Sequence, residues 1–218
     1  MEVNVKSDIF ENLKKAITGY DSELAEFLVK EVVKNKMDLN RAFDIISEAM
    51  KQVGDRFGKG EIFLPELVGA SAAMLKAMPI IQNELEKAGI KKKSLGNVVV
   101  GTVYGDIHTI GKTMVATLLF AAGFTVYDLG VNIKPEEFVN AVKKYNADIL
   151  GMSALMTMTA PEQKKTIDIL IKEGVREKVK VMVGGAAINQ EFAESIGADD
   201  YDPTAPGAVE LAKRLIGK

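Results

Sequence analysis

The stretch Asn97-Val98-Val99-Val100-Gly101-Thr102-Val103-Tyr104-Gly105-Asp106-Ile107-His108-Thr109-Ile110-Gly111-Lys112 decides how the chain is read. It runs from a continuous apolar segment, through a loop bracketed by Gly105 and Gly111, into a helical pattern. Loops that leave the carboxyl ends of strands in open α/β sheets are where such sheets bind ligands. His108, the single histidine of the protein, sits in that loop.

The texture on the C-terminal side of this loop sets the fold class. Short apolar strands at 98–103, 124–128, 149–153, 179–183 and near Asp200-Tyr201 alternate with amphipathic segments at 112–122, 135–146, 161–173, 189–196 and 205–216. Strict alternation predicts a parallel sheet with right-handed crossovers and helices on both faces. Five such units fit a flavodoxin-like, doubly wound α/β domain over 97–218, with strand order 2-1-3-4-5. In that order the first and third strands are neighbours. The loop holding Asp106 and His108 therefore meets the hydroxyl-rich segment Ser153-Ala154-Leu155-Met156-Thr157-Met158-Thr159. Strand four ends in Gly184-Gly185, where a missing side chain would admit a flat or bulky ligand to the backbone.

Residues 1–90 read differently, as a four-helix bundle. Ile9, Phe10, Leu13, Ala16 and Ile17 follow Ser7 at helical spacing, and Asp21 or Ser22 caps a second helix bearing Leu24, Phe27, Leu28 and Val32. Asp38 caps a third, with the stripe Leu39, Ala42, Phe43, Ile46, Ala49, Met50 and Val53 running to Gly58-Lys59-Gly60. Pro65 opens a fourth that carries Leu67, Ala70, Met74, Leu75 and Met78, and Pro79 is expected to kink or divide it. A linker is expected at 89–96, its Lys91-Lys92-Lys93 run solvated.

Composition narrows the chemistry. Among 218 residues, 28 Lys and Arg balance 30 Asp and Glu with the signs interspersed, so no basic surface for nucleic acid is expected. The start lacks a signal-peptide pattern and no uninterrupted apolar run approaches the length of about 18 that a span needs, so a cytoplasmic location without membrane contact is expected. Zero cysteines exclude thiolate metal sites, iron–sulfur clusters and a cysteine nucleophile. Gly111-Lys112-Thr113 imitates the end of a phosphate-binding loop, but the glycine spacing is one residue too long and Asp106 would repel phosphate. A hydrolase built from Ser153 or Thr159 with His108 and Asp106 lacks the Gly-x-Ser-x-Gly elbow. Zinc sites generally take several Cys or His ligands, and one imidazole is present.

One metal chemistry needs a single protein donor: a macrocycle supplying four equatorial nitrogens leaves only an axial position to fill. Asp106-Ile107-His108-Thr109-Ile110-Gly111, then Ser153-Ala154-Leu155, then Gly184-Gly185 resemble the Asp-x-His-x-x-Gly, Ser-x-Leu and Gly-Gly signature of cobalamin-binding domains. Val53 to Leu67 resembles the helical cap of the same family. With both modules, the chain is similar to the small corrinoid proteins of methanogen and acetogen methyltransferase systems, and to the cap plus cobalamin-binding fragment of cobalamin-dependent methionine synthase.

The resemblance implies residue roles. His108 would be the lower axial cobalt ligand, displacing the cofactor's own base; Asp106 would accept the other imidazole hydrogen, and Thr159 would complete the relay where the family has serine. Ser153 would bond the displaced base, with Gly111, Leu155, Gly184, Gly185 and, near its end, Tyr201 lining the tail channel. Gly105, Ile107, Thr109, Ile110 and Thr157 would border the cofactor, and Phe63 would shield the upper face of the ring. The implied cofactor is cobalamin or a related corrinoid cycling between cob(I)alamin and methylcob(III)alamin. The implied partners are a substrate-specific methyltransferase, an acceptor methyltransferase acting on coenzyme M or tetrahydrofolate, and a reductive activation protein. The chain would carry the methyl group without being catalytic on its own, and the donor stays open among methylamines, methanol, betaines and aromatic methyl ethers.

The same residues allow plainer readings. Asp106 or Thr159 could cap the following helix, Ser153 could satisfy a strand end, and Phe63 could be bundle core. A cobalamin-dependent regulator and an adenosylcobalamin mutase subunit are the rival functions. The first pairs these modules with a DNA-binding one, and the second with a catalytic barrel.

Overall fold

The computed structural model describes residues 9–90 and 94–218, which fall into two compact units, Met1–Lys93 and Ser94–Lys218. Ser7 and the Lys91 to Lys93 run lie outside the described residues.

The first unit is a helical bundle of α1 (Ile9–Thr18), α2 (Ser22–Lys34), α3 (Leu39–Gly58) and α4 (Leu64–Lys87). Asp21 and Asp38 cap as expected, accepting the amides of Leu24 at 2.9 Å and Arg41 at 3.0 Å. α4 packs on α2 and α3, and α1 packs on the same two. Leu13, Ile17, Ile46, Met50, Leu67 and Ile81 are fully buried between them. Each such side chain contributes roughly 1.5–3 kcal/mol through removal from water.

Three expectations are corrected. α2 buries Ala25, Leu28, Val29 and Val32, which leaves Leu24 and Phe27 exposed, and Leu75 of α4 is exposed as well. The buried stripe of α2 is thus rotated by about one position relative to the largest side chains. α4 is not divided at Pro79, whose missing N–H costs one intrahelical bond within a helix that continues to Lys87. α4 also has the length and apolar content of a membrane span, by composition alone. Its buried Ala70, Ala73, Met74, Ala77, Met78, Ile81 and Leu85 account for that composition as the central helix of a bundle.

The second unit carries a five-stranded sheet, every pairing parallel, in the order β2-β1-β3-β4-β5. Its strands are β1 (Asn97–Thr102), β2 (Thr125–Asp128), β3 (Ile149–Ser153), β4 (Lys180–Gly184) and β5 (Asp200–Tyr201). Between them lie α5 (Ile110–Ala121), α6 (Pro135–Tyr145), α7 (Pro161–Lys172) and α8 (Gln190–Ile196), with α9 (Ala205–Leu215) last. A short 3₁₀ turn, Arg176–Lys178, precedes β4 and lacks any periodic signal in the sequence. Strand ends differ from the sequence reading by one residue, as hydrogen-bonded ends do.

Register brings the site together. Thr102 pairs with Ser153, and Ser153 with Gly184, so the three carboxyl-end residues form one row across β1, β3 and β4. Beneath that row, Val99, Phe138, Leu150, Ile167, Leu170 and Val181 make a continuous buried core.

Candidate corrinoid site

The loop after β1 is built as a tight turn. Asp106 N–H donates to Val103 O at 3.1 Å, and Gly105 takes the left-handed φ of 78° that this turn requires. The turn aims the Asp106 side chain inward, where it is 0% exposed.

Both carboxylate oxygens of Asp106 are saturated with donors. Oδ1 accepts the backbone amide of His108 at 3.0 Å and its ring Nδ1 at 2.7 Å. Oδ2 accepts the amide of Leu155 at 2.8 Å, the hydroxyl of Thr159 at 2.9 Å and, more loosely, the amide of Met156 at 3.4 Å. Burial pushes the carboxyl upward. The bonds from the amide and ring of His108, the amide of Leu155 and the hydroxyl of Thr159 outweigh it and hold Asp106 well below the usual carboxylate range.

That ionisation fixes the imidazole. An ionised carboxylate only accepts, so Nδ1 of His108 is the donor and the neutral ring carries its lone pair on Nε2. The His108 side chain is 48% exposed. Thr102 Oγ1 donates to the His108 carbonyl at 2.9 Å, which anchors the backbone under the ring.

The helix-cap readings of these residues do not hold. α5 begins after Thr109 and α7 after Ala160, and neither helix has a side-chain cap. Thr159 Oγ1 lies 2.9 Å from both Asp106 Oδ2 and Met156 O. A hydroxyl has one proton, and the charged carboxylate is the stronger acceptor. Ser153 makes no side-chain hydrogen bond among the described residues, so it does not tie off its strand end.

The remaining predicted residues divide by position. Ile107, at 74% exposed, stands with exposed Thr109, Ile110 and Gly111 beside His108. Leu155, Thr157 and Met158, the last at 89% exposed, belong to the segment that donates to Asp106. This exposed apolar border suits a large flat ligand. Gly184 lies beside Ser153 in the sheet, and Tyr201 lies one strand further out, paired in register with Val183. Gly185 is held to glycine by the protein itself: a Cβ there would sit 2.0 Å from Ala154 O, at a φ of 119°. The sequence reading assigned that missing side chain to a ligand alone, and the backbone of Ala154 is the nearer cause. Phe63 belongs to the helical unit, precedes α4, and is 69% exposed, so it is not bundle core.

Comparison with known proteins matches residues 96–210 to the B12 binding domain family and residues 9–82 to a second B12 binding domain family. The chain belongs to the B12-binding corrinoid proteins. The trimethylamine corrinoid protein of Methanosarcina barkeri is 42% identical over 215 residues, covering 97% of this chain and 98% of the relative. The crystal structure of the methanol:cobalamin methyltransferase complex from Methanosarcina barkeri matches with a TM-score of 0.76 at 30% identity, over 97% of this chain and 81% of that one. The monomethylamine corrinoid protein of the same organism matches with a TM-score of 0.54 at 36% identity, over 95% and 98%.

A corrinoid fits the donors present. No cluster of three or more His, Cys, Asp or Glu able to hold a bare ion occurs among the described residues, whereas a cobalt already held by a macrocycle needs one nitrogen. His108 Nε2 is such a nitrogen. In this B12-binding chain three further residues, and a backbone role for Leu155, carry no signal in the sequence pattern. Leu155 donates through its backbone, and Thr102 holds the His108 carbonyl. Lys112, taken from its motif as a phosphate look-alike, is buried against Asp128. Asn132 accepts the Gly105 amide at 2.8 Å. The legible signal was the strand order, which sets the loop after β2 against the loop after β1.

Proposed function

We propose that this chain holds a corrinoid with His108 Nε2 as the lower axial cobalt ligand and carries a methyl group between two methyltransferases. The observation that supports this most strongly is the Thr159–Asp106–His108 chain, which leaves Nε2 as the donor atom of a half-exposed ring. A bound corrinoid supplies a cobalt centre that accepts a methyl group as a nucleophile and yields it to an acceptor. Asp106, ionised, strengthens Nε2 as a donor by drawing on the Nδ1 proton. Thr159 and the Leu155 amide keep Oδ2 occupied, so Asp106 cannot rotate away from the ring. Ser153, with its hydroxyl uncommitted, would bond the displaced base beside Gly184. Phe63 would cover the upper face.

The compounds in the relatives' names are trimethylamine, dimethylamine, monomethylamine and methanol, and the identities of 42%, 40%, 36% and 30% favour a methylamine as the methyl donor. Work in the cytoplasm, with a methylamine methyltransferase, an acceptor methyltransferase and a reductive activation protein as partners, belongs to the same proposal. The test is to bind hydroxocobalamin, reduce it, and offer each methylamine and methanol with its methyltransferase, following methylation by visible absorbance. Methylation from one methylamine supports the reading; none from any donor contradicts it.

A further inference from the structure

The Gly105-Asp106 dipeptide is gripped from outside by a single residue of the loop between β2 and α6. Asn132 Oδ1 accepts the Gly105 N–H at 2.8 Å, and Asn132 N–H donates to the Asp106 carbonyl at 2.9 Å. Asn132 holds both groups from a left-handed backbone, φ 59°, which asparagine tolerates better than most residues.

The platform beneath Asn132 is itself fixed. Gly130 O accepts Thr102 N–H at 3.0 Å, and Ile133 N–H donates to Thr102 O at 3.0 Å, on either side of Asn132. Gly130 N–H in turn donates to Asp128 Oδ1 at 2.8 Å, and Asp128 Oδ2 pairs with buried Lys112 at the start of α5. The loop that bears Asn132 is thereby tied to the strand and the helix that flank His108. Asp106 is held through its side chain by the segment after β3 and through its main chain by Asn132. With both held, the Asp106 carboxylate has one orientation, and with it the His108 ring.

We propose that Asn132 is a positioning residue for His108, setting the orientation of the ring, and so of Nε2, by pinning the Gly105-Asp106 backbone. This rests on the reading of His108 as ligand. Asn132 touches neither cofactor nor substrate, and acts through Gly105 and Asp106.

The variants separate the side chain from the backbone. Asn132→Gly keeps the left-handed φ and the N–H to Asp106 while deleting the acceptor for Gly105. Asn132→Asp restores an acceptor. Each is loaded with methylcobalamin at pH 7, and the ratio of histidine-on to histidine-off forms is read from the visible spectrum, beside the dissociation constant and the thermal midpoint. Loss of a residue that orients a metal ligand typically costs about 10–100-fold, and one step further out the ratio should fall about 3–10-fold in Asn132→Gly. Asn132→Asp should stay within about twofold of the wild type, since a carboxylate accepts an amide at least as well. The thermal midpoints of both should remain near that of the wild type. His108→Ala is the control and should give the histidine-off spectrum. If Asn132→Gly matches the wild type while His108→Ala loses the ligand, the positioning role is overturned and the ligand reading stands. If Asn132→Gly and Asn132→Asp fall together, the loss is structural and the positioning role is again overturned. If His108→Ala leaves the spectrum unchanged, the ligand reading fails and takes this inference with it.

Discussion

Thr159 Oγ1 donates to Asp106 Oδ2 at 2.9 Å, joining two residues that are 53 positions apart in sequence. The bond spans β1 and β3, which are neighbours only because the strand order is β2-β1-β3. Thr159 is 7% exposed, so water does not readily replace the bond. Thr159→Val keeps the shape and removes the donor, and should lower stability by roughly 1.5–3 kcal/mol, the range for hydrogen bonds to charged groups. Thr159→Ser should restore most of it. Denaturant midpoints of the three proteins check this, and equal midpoints for Val and wild type would count against the relay.

Asp106 predicts the acid limb of stability. Its folded-state value is depressed by accepted hydrogen bonds, below an unfolded value of about 3.9. The stabilisation is therefore fully present above about pH 4 and is lost as the pH falls through the lower folded value. Asp106→Asn faces an NH₂ toward donors whichever way the amide turns, and should cost about 2–3 kcal/mol at pH 7. It should also flatten the fall in urea midpoint between about pH 5 and pH 3. Parallel curves for wild type and variant would contradict the assignment of that carboxylate.

Two glycines of the site should respond in opposite ways. At Gly185 an added Cβ meets the Ala154 backbone at 2.0 Å, so Gly185→Ala should abolish folding of this unit or displace the end of β4. At Gly111, inside α5, nothing lies within 4 Å of an added Cβ. Gly111→Ala should raise stability by roughly 0.5–1 kcal/mol through helix propensity while weakening cobalamin binding. Thermal melts with and without cobalamin separate the two effects. A Gly111→Ala protein that binds normally would remove Gly111 from the cofactor border.

Phe63, exposed within the described structure, is expected to matter only to the loaded protein. Phe63→Ala should change stability by no more than about 0.5 kcal/mol, as surface substitutions do. It should speed the light-driven loss of methyl from bound methylcobalamin. A stability loss of about 3–5 kcal/mol, the scale for an aromatic core residue, would return Phe63 to the bundle.

Much of this architecture was legible because it rests on side-chain pattern. Val98, Val99 and Val100 announce a buried parallel strand, and the alternation after them fixes the doubly wound sheet. Asp106 and His108 stood out because the chain has no other histidine and no cysteine. The parts that were not legible depend on backbone groups or on close approach. The amide of Leu155 donates to Asp106 whatever its side chain, and no residue type signals it. Gly185 is required by an Ala154 carbonyl that the sequence places 31 residues away. Periodicity places Leu24 and Phe27 inward by size, whereas the face that α2 buries is Ala25, Leu28, Val29 and Val32. Lys112 and Asp128 both carried charges that the sequence treats as surface, and only the fold buries them together.

Whether His108 or the cofactor's own base holds the cobalt can be read from the nitrogen isotope of the ligand. The chain contains one histidine, so labelling histidine with ¹⁵N marks that ligand alone. Electron paramagnetic resonance of bound cob(II)alamin splits each cobalt line by its axial nitrogen, into triplets for ¹⁴N and doublets for ¹⁵N. With His108 as the ligand, unlabelled protein gives triplets that become doublets in protein grown with [¹⁵N]histidine. Triplets that persist in the labelled protein would mean that the cofactor's base still holds the axial position, and would contradict ligation by His108.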